Sequence, residues 1–534
     1  MRALLPLPAL CLLATTALAA TAPTVIVVNA AARHHAISPL IYGVAFASQA
    51  DLAALNAPLN RSGGNNTSTY NWLTNAQNLD NDYYFESYPQ PGTAAGASVD
   101  SFISSAKAAS GEAAITIPMI GYVAKLGANR TKLPSFSVAK YGPQCAVDPY
   151  DTDAGDGLHT DCNTPITGNN PLDAYVPDTP ADEQAWVKHI VATFGTAATG
   201  GVPYYLMDNE ASIWFSTHRD IHPVGPHGTE YLNDVIATSA AVKAVDKTAK
   251  VFAPEEWGWE AYFYSGYDQQ YAAAHNYSSF PDHAGPQAGL DYIPWLLQEW
   301  KKVGRPVDVL SVHFYPQGGE YSNDDSATTQ ALRNRSTRQL WDTKYVSESW
   351  IGQPVYLIPR LKAWVKNYYY PGTPVAITEY NWGDEPNMNG ATTQADLYGI
   401  FGYYGLNIAT RWTTPSASTP TYKAMQMYRN YDGHDSTFGD TSVLTAVPDP
   451  DNLSAFAALR AKDGALTLMV INKIAASTPV RVKIGNFTGA ASAQAFRLTS
   501  ANTIQALGNV AVISGVLNDS EPGQSITLYV LPKG

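Results

Sequence analysis

Two glutamates stand at or just past the ends of apolar runs in this chain of 534 residues. The run PYYLMDNE (203–210) closes on Asp208, Asn209 and Glu210, and PVAITEYNW (374–382) carries Glu379 ahead of Tyr380, Asn381 and Trp382. Two carboxyl groups facing each other across a cleft can break the acetal linkage between sugars. One protonates the leaving oxygen, and the other attacks carbon or activates water. A gap of roughly 5–5.5 Å goes with retention of configuration, and roughly 6.5–9.5 Å with inversion. Taken alone, either glutamate reads as a strand-end salt-bridge partner. Together, with Asn209 and aromatic residues beside them, they read as catalytic. The acid of such a pair needs a pKa raised by burial or by its neighbour, while the attacking group must stay ionised.

Short apolar runs recur along the chain at 37–47, 58–65, 114–123, 203–210, 250–259, 307–316, 374–382 and 406–414. Between them lie segments of period near 3.6, including 181–195, 229–247, 293–304, 354–369 and 393–406. Strands alternating with helices imply a parallel sheet covered on both faces. Eight such strands predict an α/β fold of the closed (β/α)8 TIM-barrel type, whose reactive groups sit at the carboxyl ends of the strands. An open doubly wound sheet would carry a Gly-rich phosphate turn after its first strand, and none is present. From about residue 433 the runs become short, alternating and turn-bounded, with Asp463-Gly464 placed as in a hairpin. This reads as an additional all-β sandwich domain. The early run TVIVVNA (24–30) could return to pair with it. The expected division is a leader over 1–19, a barrel over 36–432, and a sandwich made of 24–35 plus 433–534.

Acidic residues outnumber basic ones 46 to 33, for a net charge of −13, and charged residues make up only 15%. Nucleic-acid binding needs clustered Lys and Arg, and no such cluster is present, so that class is set aside. The N-terminal run LLPLPALCLLATTALAA, with Arg2 before it and Ala17-Leu18-Ala19 at its end, fits a cleavable export signal. The expected product is a secreted monomer with no membrane association after leader removal. Outside that leader two cysteines remain, Cys145 and Cys162, which in an oxidising compartment can pair.

Longer motifs then point to a family. NRSGGNNTSTYNW (60–72), NLDNDYYFESYP (78–89), MDNEASIWFSTHRDIHP (207–223), WGWEAYFYSGYD (257–268), DVLSVHFYP (308–316) and AITEYNWG (376–383) resemble, in order and spacing, glycoside hydrolase family 44. The resemblance runs through nearly the whole chain past the leader. It implies a barrel with a β-sandwich and a secreted, retaining endo-β-1,4-glucanase acting on β-glucans such as xyloglucan and soluble cellulose derivatives. By position it makes Glu210 the acid/base and Glu379 the nucleophile. Asn209 would hold a sugar hydroxyl, and Arg61 and Tyr315 would support Glu379. Ser62 departs from the bulky Trp expected in many relatives, which bears on the shape of a nearby subsite. The family also implies a structural metal near the barrel, with Glu86 as a ligand.

Other residues carry competing readings. Trp72, Trp257, Trp259, Trp382 and Trp412 lie in or near strand ends and are expected to offer two or three sugar-stacking faces, Trp382 and Trp412 first. Core packing is the alternative for each. Asp148, Asp151, Asp153 and Asp156 crowd a Gly-rich loop inside the Cys145–Cys162 interval, where oxygen ligands suit a structural calcium; a solvated acidic loop is the alternative. No cofactor is expected for the chemistry itself. His218 and His222, four apart, could chelate zinc. The metalloprotease form needs Glu at the second position, and here it is Arg219, so hydrogen bonding is preferred. Two alternatives stay open: the same mechanism on xylan or mannan, and a glycan-binding protein without catalysis. Residues 440–534 contain no Trp and only Tyr529 among tyrosines, so the sandwich reads as structural support.

Overall fold

The computed structural model describes residues 22–534; the leader expected over 1–19 lies outside them. Eight parallel strands close into a barrel: Gly43–Ala45 (β1), Leu59–Ser62 (β2), Glu112–Ile117 (β3), Tyr204–Met207 (β4), Lys250–Glu256 (β5), Val309–Phe314 (β6), Val375–Tyr380 (β7) and Ile408–Arg411 (β8). β8 pairs with β1 through Thr410↔Gly43 and Arg411↔Val44, which completes the circle. A helix follows every strand, as the alternation of runs requires. The first is Gln49–Leu55 and the last Pro420–Arg429.

The barrel interior is layered. Near the amino ends Leu59, Ala114, Leu206, Phe252, Val309, Ala376 and Ile408 form one apolar cluster, and Leu40 packs against it. Leu40 comes from a 3₁₀ turn, Pro39–Tyr42, in the middle of the first apolar run. Ser38 caps that turn by accepting from the Leu40 amide, and Pro39 fixes its first φ. The strand in that run is therefore only three residues long.

The outer helices bury one face each. Helix Tyr292–Lys302 (YIPWLLQEWKK) hides Ile293, Leu296, Leu297 and Trp300 and leaves Lys301 and Lys302 at its carboxyl end. Pro180–Phe194 begins where Asp182 accepts from both the amide and the hydroxyl of Thr179. Helix Met388–Tyr403 is buried nearly all round, because it lies between the barrel and the second β structure. Gly399 makes that contact possible: a Cβ there would lie 2.0 Å from the Phe456 ring. Beside it the buried Lys473 ammonium meets Asp396 at 2.6 Å, and Thr337 donates to the same carboxylate oxygen.

The second β structure is built from the strands after residue 440. The N-terminal strand Thr24–Asn29 joins it, parallel to Thr478–Gly485 and antiparallel to Thr441–Ala446. Ile26 and Val28 enter the sandwich core with Val443, Val480 and Val482. The hairpin at Asp463-Gly464 connects Leu453–Leu459 to Leu466–Asn472, with Gly464 at φ 69°. Cys145 and Cys162 are disulfide-bonded. Among the described residues no helix is long and apolar enough to cross a membrane.

Candidate active site

The carboxyl ends of five barrel strands bring charged side chains to one point. β2 supplies Arg61, β5 Glu255, β6 His313 and β7 Glu379, and the turn after β4 supplies Glu210. Asp208 and Glu210 both have positive φ, 62° and 48°. That sharp turn is held by the Asp208 carboxylate, which accepts from the amides of Met119 and Asn209. The Glu210 amide donates to the Glu255 carbonyl at 3.1 Å. Behind them the Tyr231 hydroxyl donates to the carbonyls of Met207 and Pro254. The ends of β4 and β5 are therefore clamped together before any side chain is considered.

Glu379 is the most tightly held of the carboxylates. Its Oε1 accepts from Arg61 Nη1 at 2.6 Å and its Oε2 from the Tyr315 hydroxyl at 2.8 Å. Arg61 Nη2 donates to Asn209 Oδ1 at 3.0 Å, and the Gly64 amide to the same oxygen at 3.1 Å. The glycines of the Arg-Ser-Gly-Gly-Asn motif are required by this packing. A Cβ on Gly63 would fall 2.3 Å from the Arg61 guanidinium carbon, and one on Gly64 2.6 Å from the Trp412 ring.

His313 joins the carboxylates. Its Nδ1 lies 2.7 Å from Glu210 Oε1 and 3.6 Å from Glu379 Oε2, and its Nε2 lies 3.3 Å from Glu255 Oε2. Burial alone would lower the imidazole, but the Glu379 charge and the hydrogen bonds to Glu210 and Glu255 outweigh it and push the pKa up to about 9. His313 is thus an imidazolium at neutral pH that donates from both nitrogens. Glu255 is fully buried, which raises its pKa, yet the bond from His313 and the charge of Arg61 bring it below the usual carboxylate range. Glu210 goes the other way: burial lifts it, and the contact with His313 only partly offsets that. Charge balance gives the same ordering. Arg61 and His313 neutralise Glu255 and Glu379, and Glu210 is the surplus carboxyl group that holds a proton at least cost. Deeper still, burial pushes Glu256 up to about 8, with the Ser212 hydroxyl 2.5 Å from its Oε2.

One ligand atom each from Glu210, His313 and Glu379 lies within 4.8 Å of the others. Among the described residues this is the one group of three or more metal-ligand side chains so placed. Both Glu379 oxygens are already occupied by Arg61 and Tyr315, which leaves carboxyl chemistry as the natural use of the site.

Among the described residues, Glu86, Asp151, Asp153 and Asp156, expected as calcium ligands, do not form a group of metal-ligand side chains. Glu86 accepts from the Lys132 ammonium at 2.7 Å, and the same ammonium lies 3.7 Å from Asp148. Asp153 binds Ser137 and the Ala139 amide. Asp148, Asp151 and Asp156 each accept from the amide two residues on. The acidic loop is a series of Asx turns, in which Asp153 and Asp156 have both oxygens bonded, while one oxygen each of Glu86 and Asp148 is buried without a partner. His218 and His222 are not part of a metal-ligand group among the described residues: burial keeps His218 neutral, with its pKa lowered to about 3, and His222 bonds Glu230 and the Val224 carbonyl.

The tryptophans divide. Trp412 lies over Arg61, 5.9 Å from the guanidinium carbon, and edge-on to Phe46. Trp257 is partly exposed and donates to Gln269. Trp259 is 6% exposed and stacks with Arg360, although its edge lines a groove with Tyr277 and Trp350. Trp382, expected to be among the first sugar contacts, is instead buried: it packs on Phe314 and donates to Ser336. Trp72 packs on His189 of helix Pro180–Phe194 and does not join the ring of charged groups.

Sequence reasoning passed over Glu255, Glu256 and His313. The signal was available, since Pro-Glu-Glu and Val-His-Phe lie late in the fifth and sixth apolar runs, as Glu379 does in the seventh. It also passed over exposed rings on the loops beyond the strands. Tyr321 packs edge-on to Tyr315, and Trp350 donates to Gln317 two residues beyond Tyr315. These two are 51% and 57% exposed.

Comparison with known proteins points to one family. The model of glycoside hydrolase family 44 matches residues 76–318. A solved structure of CelM2, described as a bifunctional glucanase-xylanase from a metagenome library, is 54% identical, covers 96% of this chain and 99% of its own, and superposes with a TM-score of 0.94. A Paenibacillus polymyxa xyloglucanase of family 44, solved with xyloglucan, is 28% identical over 96% of this chain and 100% of its own, with a TM-score of 0.79. Endoglucanase A of Paenibacillus lautus is 31% identical over 480 residues, 85% of this chain. The chain spans 64% of that protein's length.

Proposed function

Because the chain belongs to glycoside hydrolase family 44, we propose that it is a secreted, endo-acting β-1,4-glucanase that cleaves β-glucan backbones with retention of configuration. The observation that carries the proposal is the approach of the Glu210 and Glu379 oxygens, within 4.8 Å. So close an approach of single oxygens fits the roughly 5–5.5 Å between the carboxyl groups of retaining pairs better than the wider gap of inverting ones.

In the first step Glu379 attacks the anomeric carbon, and Glu210 gives its proton to the departing glycosidic oxygen. The glycosyl group is now an ester of Glu379. In the second step Glu210, as carboxylate, takes a proton from water, whose oxygen displaces Glu379 and restores the β configuration. The hydrogen bonds from Arg61 and Tyr315 aim Glu379 and disperse its charge. His313 fixes the position of Glu210. Asn209, oriented by Arg61 and Gly64, stands beside Glu210, where a sugar hydroxyl next to the reacting carbon would lie. Export rests on the leader sequence and on the disulfide, which forms in oxidising compartments.

Xylan is the second reading, favoured by one observation: the relative at 54% identity is described as a glucanase-xylanase. Product anomers recorded by NMR at early times, on xyloglucan, carboxymethylcellulose and xylan, test the whole proposal. The β anomer should appear first, and its absence would overturn retention. Glu210→Gln and Glu379→Gln should each lower kcat by at least about 10³-fold while still binding polysaccharide.

A further inference from the structure

Two cations face the glutamate pair, Arg61 beside Glu379 and His313 beside Glu210. Between those cations lies Glu255, a carboxylate with no place in the two steps of hydrolysis. It is 0% exposed, as are Arg61 and His313. A single oxygen of Glu255 meets both. Oε2 accepts from Arg61 Nη2 at 3.4 Å and lies 3.3 Å from His313 Nε2. Arg61 Nη2 and His313 Nε2 are themselves only 3.3 Å apart, so two positive groups share that oxygen.

The backbone is bent to place it there. The pairing of β5 with β6 shifts register between Pro254 and Glu256, and Glu255 has φ 56°. Bulges re-aim side chains next to active sites, and left-handed backbone is uncommon for a residue other than Gly, Asn or Asp. A buried carboxylate is also costly unless it is paired. Glu255 stays ionised through the bond from His313 and the charge of Arg61.

The charges change sides during the reaction. Before it, Glu379 is ionised and Glu210 carries the acid proton, so Arg61 has an anion beside it and His313 has a neutral carboxyl group. Glu379 then bonds to the anomeric carbon while Glu210 gives its proton to the leaving oxygen, and the positions reverse. Glu379 is now a neutral ester and Glu210 an anion. The pair carries one negative charge throughout, and that charge moves from the Arg61 side to the His313 side. Two buried cations need two anions in both states. The second anion must touch both cations and keep its charge, as Glu255 does. The other titratable neighbours are neutral: Glu256 holds a proton, and Tyr231, Tyr262 and Tyr315 stay as phenols.

We propose that Glu255 is a positioning residue that acts as the fixed counter-charge of the site, serving His313 while Glu210 holds its proton and Arg61 while Glu379 is an ester. This role rests on the double-displacement reading of Glu210 and Glu379. Its consequence is that His313 keeps both N–H donors, and with them its hold on Glu210, through the whole cycle.

The test follows the ring nitrogens of His313 by NMR in histidine-labelled protein, its signals identified as those missing from His313→Gln. The wild type is measured free and after reaction with a cellobioside that has a dinitrophenyl leaving group and fluorine on the carbon next to the anomeric one, which leaves a slowly hydrolysed ester on the nucleophile. Both nitrogens should stay protonated at neutral pH in both forms. Glu255→Gln removes the charge and keeps the shape, and in it His313 should titrate about 1–3 pH units lower. The alkaline limb of kcat/KM should also move to lower pH, because loss of a nearby negative charge makes Glu210 and His313 both release protons earlier. Glu255→Asp keeps the charge and should hold the titration and the limb near their wild-type positions. A neutral His313 at neutral pH in either wild-type form overturns the proposal, as does a folded Glu255→Gln in which titration and limb stay in place. If Glu255→Gln does not fold, the two wild-type forms and Glu255→Asp decide. Failure of the reagent to form an ester removes the double-displacement reading instead, while titration of the free wild type against Glu255→Gln still tests the hold of Glu255 on His313.

Discussion

His313 touches Glu210 and Glu255 and stands 3.6 Å from Glu379, so replacing it separates placement from charge. In His313→Gln the acid loses the group that positions it, and misplacement of that size costs about 10²-fold in kcat. The same change removes a positive charge that favours ionised Glu210. The pKa of Glu210, already raised, rises further, and the alkaline limb of the kcat/KM profile should move to higher pH. A limb that stays in place, or moves down, would sink the assigned role. Glu256 makes a prediction about stability. Its ordinary value is 4.5, and burial pushes it up to about 8. The folded protein therefore keeps a proton that the unfolded chain releases, and the group costs stability increasingly as pH rises from 4.5 toward 8. Glu256→Gln retains an oxygen for the Ser212 hydroxyl and removes that titration. Between about pH 5 and pH 8 its Tm should fall less than that of the wild type. Equal slopes would show that Glu256 does not hold the proton.

At the scale of elements, the loop around Glu86 shows a lysine ammonium serving two buried carboxylates. Chelation should leave Tm unchanged. Lys132→Ala should lower stability by about 2 kcal/mol, less than a fully buried pair because the Lys132 side chain keeps some exposure. A drop in Tm with chelator alone would contradict this. The acidic loop at 148–156 shows where a sequence leaves two readings open. Aspartate looks alike in a cation site and in an Asx turn, and only the backbone amide two residues on tells them apart. The barrel strands were legible because each is a short apolar run bounded by turn residues, and Tyr292–Lys302 was legible because one face alone is apolar. Met388–Tyr403 begins five residues before the periodic segment at 393–406, because burial all round blurs where such a helix starts. Glu210 and Glu379 are legible by position at strand ends; His313 stands at an equivalent position, but between Val312 and Phe314 it looks like one more residue of an apolar strand. Trp382 was misjudged because its type and its place at a strand end say nothing about which way the ring turns.

For the whole molecule, the barrel and the sandwich meet across a surface too closely packed to be incidental. Gly399→Ala puts a methyl group into the Phe456 ring. It should cost at least about 1–3 kcal/mol, as overpacking does, and Phe456→Ala in the same chain should recover part of it. Additive losses in a thermal double-mutant cycle would mean the two residues do not meet. Loss of Asp396 would leave the Lys473 ammonium buried without its counter-charge, so the interface is held by charge as well as by shape.

The strand Thr24–Asn29 has its pairing partners at Thr441–Ala446 and Thr478–Gly485, near the far end of the chain. During synthesis its parallel neighbour does not exist until ribosomes have passed Gly485. Until then Val25 to Val28 present an unpaired apolar edge, open to pairing with any other nascent copy. Strands made long after it are therefore the ones that shield it, and the synthesis of Thr478–Gly485 is the event that lets this apolar edge close.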